Sequence, residues 1–482
     1  MSLQGVEKIC LEFHSKKPIE IEFSQTRLSS DGGLLPVRDF DEKIKLTEQF
    51  AAALHDGRGD SAVHSTLSMV RQRIFGILAG YEDQNDHDTL RTDPVFQLIC
   101  ERVPGENRDG LASQPTLSRF ENSVSIADLW RLRDALFDQF LQAFETPPQT
   151  ITLDIDAFDD TTHGQQQLTL FHGFYKQYQY LPIAITCAEN DMVLLVGLRH
   201  GTAAAFLGVD DDLRYLTQRL REAWPDVEII VRADAGFGVP VMYEVCEELE
   251  QAYTFGIGMN SVLQRKCDDL LDKATTQYNE TQEKQRLFME TEYHAGTWTK
   301  SRRVVIKCEA HQGGLNRRGV VTNRTDCQDG PQPIYDDYVQ RGESENRNKE
   351  LKCELCADRL SDHRFMANYF RLYLHASSLN LLIRLRQETE KGITPEKVGL
   401  PSEVLEKTAT PSQKKLYFNR RRRADPLGEG FACTWRTMFI KVACEVSVSA
   451  RRVLVKLSSH WPHLSEFQRV SQSIQALDFS SG

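Results

Sequence analysis

The segment Ile151–Phe158, with the sequence ITLDIDAF, alternates apolar and polar residues with a period of two. That period is typical of a β-strand with two different faces. Before it, DLWRLRDALFDQFLQAF (128–144) repeats its apolar residues with the period of an amphipathic helix. TPPQT (146–150) separates the two patterns. We therefore predict a mainly helical N-terminal domain over residues 1–145 and a sheet-containing domain from residue 146.

Strand and helix patterns alternate downstream of this segment. The strand patterns that follow it directly are QLTLFHGFYKQY (167–178), LPIAITCA (181–188) and MVLLVGLR (192–199). An amphipathic helix pattern (211–224) then leads to the buried-type strand VEIIVRAD (227–234), a second helix and the short strand YTFGIGM (253–259). This order predicts an α/β domain with a central mixed sheet.

The order is interrupted over residues 262–335. Three segments in this interval predict antiparallel strands, namely RLFMETEYHAG, TWTKSRRVVIKCEA and RRGVVTNRT. We interpret the interval as an inserted β-region that divides the α/β core into residues 146–261 and 336–390. A basic C-terminal region follows over residues 391–482.

Length and composition are those of an ordinary globular protein. A chain of 482 residues is too long to fold around a single hydrophobic core, so two to four structural units are expected. No apolar run approaches about 18 residues, which predicts no membrane span, and the N-terminal residues lack the layout of a signal peptide. The eleven cysteines, scattered and odd in number, favour reduced thiols over disulfides. The expected location is the cytoplasm.

Charge is distributed unevenly along the chain. The formal net charge is −11, but residues 365–470 carry 18 Lys and Arg against 9 Asp and Glu, a net of +9 that leaves −20 elsewhere. This asymmetry is compatible with a basic binding surface beside an acidic, metal-binding part. The candidates for holding phosphates are Arg420, Arg421, Arg422, Arg423, Lys414 and Lys415. A solvated run of charge is the alternative.

Aspartates stand at the ends of two predicted strands. Asp156 closes LDID, and Asp154 lies two residues earlier on the same face; Asp234 closes VEIIVRAD before a glycine turn. Ligands and catalytic groups gather at strand ends in open α/β sheets. Each aspartate could instead cap a helix or stabilise a turn. The strand-end position favours Asp156 over Asp154 as the functional residue.

A third carboxylate lies in YVQRGESENRNKELK (338–352). At about 100° per residue, Tyr338, Arg341, Glu345 and Lys352 fall within about 60° on one face of a helix. Such a polar face is either a functional surface or a solvated face with a salt bridge between Arg341 and Glu345. Spacing alone leaves both interpretations open.

Asp156, Asp234 and Glu345 could converge on one point. Three carboxylates repel one another unless a divalent cation lies between them, and oxygen ligands with open positions suit Mg²⁺ or Mn²⁺. Two such ions would support in-line phosphoryl transfer. Arg341 and Lys352 would then be placed to meet phosphates.

Cys353 and Cys356 form a C-x-x-C pair just after Lys352. No second Cys or His pair stands at a zinc spacing from them in the sequence. We interpret the pair as part of the packing of a helix. A zinc- or redox-responsive regulator is the alternative.

LASQPTLSRFENSVS (111–125) predicts a short helix, with Ser113 as its N-cap and Pro115 in its first turn. The residues that this helix would present to a DNA groove are Gln114, Ser118 and Arg119. An ordinary helix of a bundle is the alternative.

The spacing Tyr338-x2-Arg341-x3-Glu345-x6-Lys352 matches, at every position, the Y-(2)-R-(3)-E-(6)-K signature of DDE transposases from bacterial insertion sequences. LDIDAFDDTTHGQ and RADAGFG resemble the two aspartate motifs of that superfamily. LASQPTLSRFEN, YEDQNDHDTLRTDP and VGLRHGT resemble the subgroup that is similar to the piggyBac elements. The resemblance extends over most of the chain, from about residue 20 to about residue 460.

The resemblance implies a ribonuclease-H-like catalytic core with a β-rich insertion, flanked by a mainly helical N-terminal domain and the basic C-terminal region. It implies that Asp156, Asp234 and Glu345 are the catalytic triad and bind Mg²⁺ or Mn²⁺, as two ions. The residues it assigns to DNA contact and positioning are Tyr338, Arg341 and Lys352.

Trp298, in GTWTKSRR within the insertion, is a further candidate for DNA contact. Its ring could stack on a flipped base near a cut end. A buried strand tryptophan is the alternative and is slightly favoured.

The implied function is transposition: cleavage at the terminal inverted repeats of an insertion sequence, then attack of the freed 3′-hydroxyl on target DNA. The implied partners are double-stranded DNA and a second copy of the chain, with no membrane. The implied setting is the bacterial cytoplasm, at the nucleoid when DNA is bound. The alternative is a non-catalytic or domesticated DNA-binding protein derived from such an element.

Overall fold

The computed structural model describes residues 9–11, 17, 19–22, 24, 26–59, 62–106, 110–325, 330–389, 427–428 and 430–478. In this part of the chain the fold is mixed α/β and is built on an eight-stranded mixed sheet. The predicted α/β class with a central mixed sheet is thereby confirmed.

The strands follow the alternating and β-branched segments of the sequence. In chain order they are β1 (Ile9–Leu11), β2 (Ile19–Ile21), β3 (Arg27–Ser29), β4 (Thr150–Ala157), β5 (Asp160–Thr161), β6 (Leu170–His172), β7 (Gln177–Tyr180), β8 (Ile183–Cys187), β9 (Val193–Gly197), β10 (Glu228–Ala233), β11 (Ala252–Ile257), β12 (Gln285–Tyr293), β13 (Arg302–His311), β14 (Gly314–Thr322), β15 (Cys444–Ser449) and β16 (Arg452–Leu457).

The helices occupy the segments with a helical apolar period. In chain order they are α1 (Leu34–Ile44), α2 (Leu46–Ala52), α3 (Thr66–Ala79), α4 (His87–Leu90), α5 (Pro94–Ile99), α6 (Gln114–Asn122), α7 (Ile126–Leu141), α8 (Val209–Ala223), α9 (Pro240–Glu248), α10 (Ser261–Lys266), α11 (Asp268–Thr281), α12 (Pro331–Val339), α13 (Arg341–Lys349), α14 (Phe365–Thr389), α15 (Ala432–Trp435) and α16 (Leu464–Ala476).

The main sheet has the strand order β12-β13-β14-β11-β10-β4-β8-β9. β4 pairs with β8 and β8 with β9 in antiparallel fashion, whereas β4 pairs with β10 and β10 with β11 in parallel. In the register of β4 and β10, Ile155 lies opposite Ala233. The next positions along the two strands are Asp156 and Asp234. Because parallel strands end at the same edge of a sheet, the two aspartates lie side by side there.

α14 packs the helical part of the chain against the sheet. This helix of 25 residues is buried on almost all of its faces, because it contacts α3, α6 and α7 as well as β9. β9 itself is buried along its whole length. The core of the sheet domain and the core of the helical residues 34–141 are therefore continuous.

The predicted inserted strands are present as β12, β13 and β14. They do not form a separate sheet, because β14 pairs with β11 and extends the main sheet at one edge. The interval 262–335 also contains α11, which packs on β12 and β13. Its content is thus helical as well as β, which the sequence patterns missed.

QLTLFHGFYKQY (167–178) was predicted as one strand, and that prediction is wrong. The segment contains β6 and the start of β7, which pair as a hairpin. β7 also pairs with β5, so these three strands, which lie between β4 and β8 in the chain, form a separate small sheet. The break falls at the turn that contains Gly173, where Lys176 adopts a positive φ of 56°.

The C-terminal strand β15 pairs with β16 on one side and, on the other, with β3 from the N-terminal part of the chain. Lys414, Lys415 and Arg420 to Arg423, predicted to hold phosphates, lie outside the described residues. Among the described helices, none combines the length and the apolar character needed to cross a membrane.

Candidate active site

Asp154 is held in a buried ion pair. Its two carboxylate oxygens each accept a hydrogen bond from the guanidinium of Arg232, at 2.8 Å from Nε and 2.8 Å from Nη2. Arg232 lies directly opposite Asp154 on β10, and the two residues are 3% and 1% exposed. Arg232 also donates to the backbone oxygen of Asp337 in α12. Through Arg232, Asp154 therefore connects β4 to β10 and α12.

Asp156 has a different environment, although it lies only two residues further along β4. Its Oδ2 accepts a hydrogen bond of 3.0 Å from Nδ2 of Asn348 in α13. Burial raises the pKa of Asp156, and the nearby charge of Asp234 raises it further, whereas Asn348 and Arg341 act in the opposite direction. Asp156 is thus hydrogen-bonded to a neutral amide and experiences the opposing charges of Arg341 and Asp234.

Asp234 lies immediately after β10, at the turn that leads to α9. Its Oδ1 accepts a hydrogen bond of 2.8 Å from the backbone N–H of Gly236, so the carboxylate is oriented by its own turn. Gly256 in β11 makes room for this arrangement. A Cβ at residue 256 would lie 2.7 Å from the amide nitrogen of Ala235 and 2.9 Å from the hydroxyl oxygen of Tyr338. Any larger residue at position 256 would clash with the backbone of the turn and with the hydroxyl of Tyr338.

The sequence predicted that the four signature residues share one helix, and this prediction is wrong. Tyr338 lies in α12, whereas Arg341 and Glu345 lie in α13 after a break at Gln340. Lys352 follows in a π-helical turn, Glu350–Glu354.

The π-helical turn is held by a buried ion network. Glu350 is fully buried and accepts hydrogen bonds of 2.7 Å from Arg347 and from Arg386 in α14. Asn348, one turn beyond Glu345, is also buried. One end of α13 is therefore anchored in the core, and its exposed face carries Glu345.

Arg341 interacts electrostatically with all three candidate carboxylates. It donates a hydrogen bond of 2.6 Å from Nη2 to Glu345, whose side chain is 55% exposed. Burial alone would lower the pKa of Arg341, but its acidic neighbours raise it. Those neighbours are Tyr338, Glu345, Asp156 and Asp234. One guanidinium thus lies within electrostatic reach of the whole predicted triad.

Lys352 is engaged with the turn that follows β4. Its Nζ donates a hydrogen bond of 2.5 Å to Oδ1 of Asp159. Burial alone would lower the pKa of Lys352, and the contact with Asp159 raises it. Lys352 therefore links the π-helical turn to the end of the strand that carries Asp156.

The donor chemistry of this site fits a hard divalent cation. Asp156, Asp234 and Glu345 supply only oxygen ligands, and Mg²⁺ and Mn²⁺ prefer such ligands. The charge of Asp234 also helps to raise the pKa of Asp156. Within the described residues, however, no three His, Cys, Asp or Glu side chains converge closely enough to hold a metal ion. Glu345 would have to exchange its pairing with Arg341 for a place beside the aspartates.

Comparison with known proteins assigns the chain to a family. A model of the family described as "Transposase DDE domain group 1" matches residues 11–398. The chain belongs to this family of DDE transposases. The resemblance drawn from the sequence motifs is thereby confirmed. No curated protein matches the chain.

Among solved structures, the chain is similar to the cryo-EM structure of a piggyBac transposase synaptic complex with hairpin DNA. The two share 14% sequence identity and a TM-score of 0.37, over 83% of this chain and 84% of that chain. The family assignment of this DDE transposase follows from the family match alone.

Trp298 is not placed at the candidate active site. The residue lies in the connection between β12 and β13 and is 8% exposed. Its ring packs edge-on against Tyr243 at 5.2 Å and Tyr293 at 5.3 Å, and the guanidinium of Arg302 lies 5.6 Å from its centroid. Stacking of a base on Trp298 stays a prediction and would require this cluster to open.

The other sequence candidates lie in α6 and in or just after the π-helical turn. Ser113 precedes α6 with Pro115 in the first turn, as predicted, although its hydroxyl contacts Thr116 rather than the helix backbone. Arg119 of the same helix is exposed. Cys353 is exposed and Cys356 is half-buried, and no cluster of three potential metal ligands includes them within the described residues.

Asn348 and Arg232 were not identified from the sequence. Asn348 contacts Asp156 across 192 residues of chain, and Arg232 contacts Asp154 across 78. The position of Asn348, one turn after Glu345 on the same helix, was the available signal. No sequence pattern indicated which strand would lie opposite Asp154.

Asp154 and Asp156 are expected to respond oppositely to removal of their charge. Asp154→Asn should lower the free energy of unfolding by about 3 kcal/mol, because Arg232 would stay buried without its main anionic partner. Asp156→Asn should leave stability unchanged or increase it, because Asp156 is bonded to the neutral amide of Asn348 instead of a buried guanidinium. Urea unfolding midpoints at pH 7 in EDTA measure both effects. Equal losses in the two variants would contradict the separation of their roles.

Proposed function

We propose that this DDE transposase cleaves DNA at the ends of its mobile element and transfers the freed ends to target DNA by metal-dependent phosphoryl transfer. The observation that carries the proposal is the placement of Asp156 and Asp234 side by side at one edge of the sheet. The helix that bears Glu345 is tied to the same edge through Asn348.

We infer that the central five strands are a ribonuclease-H-like core. The order β9-β8-β4-β10-β11, with two antiparallel pairings followed by two parallel ones, supports this inference. The proposed inserted region contains β12, β13 and β14, which lie in the chain between Asp234 and Glu345. The boundaries at residues 146, 262, 336 and 391 are part of this proposal.

Asp156, Asp234 and Glu345 are the residues proposed to hold the divalent ions, as two Mg²⁺ or Mn²⁺ ions. When bound, such ions polarise the scissile phosphate and activate the attacking oxygen. Asn348 keeps Asp156 in place through its amide. Arg341 offsets part of the negative charge of the carboxylates in the absence of metal, and its guanidinium would be placed to meet an entering phosphate.

The proposed partners are double-stranded DNA, both repeat ends and target, and a second copy of the chain. The residues proposed to contact DNA are Tyr338, Arg341, Lys352, Arg420, Arg421, Arg422 and Arg423. The proposed setting is the bacterial cytoplasm and nucleoid, and the proposed element is an insertion sequence. The basic charge of residues 365–470 supports binding to phosphates.

A second candidate function is DNA binding without catalysis. It is favoured by the pairing of Glu345 with Arg341, which leaves the three carboxylates short of a metal site in this conformation.

One experiment separates the two functions. The full chain is incubated with DNA fragments from both flanks of its gene and a supercoiled plasmid, with Mg²⁺, with Mn²⁺ or with EDTA. We expect cleavage at the repeat ends and joining to the plasmid only with a divalent ion. Tight binding to the flanks without any cleavage in either ion would favour the non-catalytic function.

A further inference from the structure

The aromatic hairpin, defined as residues 170–180 with β6, β7 and their turn, exposes unusually large side chains. Phe174 is 83% exposed, Tyr178 59% and Phe171 50%. Phe171 and Tyr178 lie opposite each other across the hairpin, with ring centroids 5.5 Å apart. A run of exposed rings on one short hairpin indicates a binding surface rather than scattered surface residues.

The rings are presented by a well-anchored support. Tyr180, at the end of β7, is fully buried and donates a hydrogen bond of 2.6 Å to the backbone oxygen of Gln167. Gly201 allows close contact with the hairpin, because a Cβ there would lie 2.1 Å from the backbone oxygen of Gln179. At the tip, Nδ1 of His172 accepts a hydrogen bond from the backbone N–H of Phe174. The backbone that carries the exposed rings is therefore anchored before any partner binds.

The hairpin lies beside the candidate active site. Gln177 donates a hydrogen bond of 3.1 Å to Asp159, the residue that also pairs with Lys352. Burial raises the pKa of Tyr175, and the charges of Asp159, Asp156 and Asp234 raise it further. The hairpin tip is thus within electrostatic reach of both strand-end aspartates.

The charge of this region suits a polyanion. The 18 residues 163–180 contain no Asp or Glu, in a chain that has 69 of them, and Lys176 is their one permanent charge. Five glutamines in the segment can donate and accept hydrogen bonds. A phosphate backbone would meet no carboxylate on the hairpin itself.

We propose that the aromatic hairpin binds unpaired bases of the DNA end at the cleavage site by stacking on Phe174, Tyr178 and Phe171. This inference rests on the proposed function. Bases in a duplex already stack on one another, so exposed rings gain most from bases that are unpaired. Exposed rings on an anchored hairpin that itself contains no carboxylate, beside the proposed catalytic site, fit this substrate better than a second protein chain.

The test measures binding separately from cleavage. The probe is a synthetic duplex with a single-stranded 3′ extension of six nucleotides, one of them 2-aminopurine, in EDTA. Phe174→Ala and Phe174→Leu are expected to weaken binding of the extended duplex by about 5- to 100-fold and to reduce fluorescence quenching of the 2-aminopurine. Phe174→Trp should retain both, because it keeps an aromatic face. Binding of the blunt duplex should not change.

Trp130→Ala is the matched control, since Trp130 is an exposed aromatic residue (61%) on α7 in the helical part of the chain. It should not alter binding of the extended duplex. Unchanged affinity and quenching in Phe174→Ala would overturn the inference. It would also be overturned if Phe174→Ala converted a dimer to a monomer in sedimentation without affecting binding of the extended duplex, because the hairpin would then be a contact between copies.

The outcome for the proposed function is read independently. If the Phe174 variants lose binding of the extended duplex but no divalent ion supports cleavage by the wild-type chain, the hairpin inference stands and the proposed catalysis fails. If cleavage is metal-dependent and Phe174→Ala binds the extended duplex normally, the hairpin inference alone fails.

Discussion

Replacement of Asp234 by Asn is expected to lower the rate of DNA cleavage by about 10³-fold or more, because a metal-binding carboxylate contributes several kcal/mol to the transition state. Asp156→Asn and Glu345→Gln should have effects of similar size. DNA binding should be unchanged or slightly tighter, since each substitution removes a negative charge that faces the phosphates. Single-turnover cleavage of end-labelled repeat DNA in Mn²⁺ measures the rate, and fluorescence anisotropy in EDTA measures the affinity.

Asp226→Asn is the matched control for Asp234→Asn. Asp226 is exposed and precedes β10, whereas Asp234 follows the same strand at its other end. The control removes the same charge and should cleave like the wild type. Cleavage by Asp234→Asn at the rate of the control would remove Asp234 from the catalytic site.

The second large effect concerns stability and involves Glu121. This residue is fully buried in α6, and its two carboxylate oxygens accept hydrogen bonds from Arg73 of α3 at 2.7 Å and from Arg371 of α14 at 2.5 Å. Glu121→Ala leaves two buried guanidinium groups without their shared anion. We expect a loss of about 3–5 kcal/mol in the free energy of unfolding, measured as a lower urea midpoint.

Glu248→Ala is the matched control for Glu121→Ala. Glu248 also accepts two short hydrogen bonds from an arginine, Arg214, but the pair is 61% and 43% exposed. Its loss should leave the urea midpoint nearly unchanged, because water replaces the contact. Similar urea midpoints for the two variants would show that the buried network adds no stability beyond that of a surface pair.

Acid should act on the same network. Burial alone would raise the pKa of Glu121, but Arg371 and Arg73 lower it to about 2. Because the folded-state value is below the unfolded one, near 4.5, the contribution of Glu121 is complete above pH 4.5 and is lost as the pH falls toward 2. The difference in stability between the wild type and Glu121→Ala should therefore shrink over that interval.

Local periodicity was sufficient to predict the strands of the core. β4 coincides with the segment ITLDIDAF. Asp156 and Asp234, near the ends of β4 and β10, lie at one edge of the sheet as predicted. Period two and period 3.6 are local properties that a sequence shows directly. The preference for Asp156 over Asp154 also came from local position, and the pairing of Asp154 with Arg232 supports it.

Features that depend on distant contacts could not be predicted in this way. The antiparallel pairing of β14 with β11 joins segments about 65 residues apart, and nothing in either segment specifies it. The bond from Asn348 to Asp156 depends on how α13 docks on β4. Instead of the single helix expected over residues 338–352, the structure has two helices that meet at Gln340. The polar period of the segment is compatible with both arrangements, so the sequence could not distinguish them.

The pairing of Arg341 with Glu345 was one of two interpretations of the signature face, and it is present. It coexists with the electrostatic influence of Asp156 and Asp234 on the same arginine. A salt-bridged face and a functional face are therefore compatible. Divalent ions are expected to shift the balance by offering Glu345 a second cationic partner.

Binding of Mn²⁺, followed by the loss of the electron paramagnetic resonance signal of the free ion, tests most directly whether Asp156, Asp234 and Glu345 hold a divalent cation together. The titration uses the full chain bound to a DNA end, with binding by the DNA alone subtracted. We predict saturable binding by the wild type, its loss in Asp156→Asn combined with Glu345→Gln, and its retention in Asp226→Asn. Equal Mn²⁺ binding by the wild type and the double variant would contradict the assignment of this site.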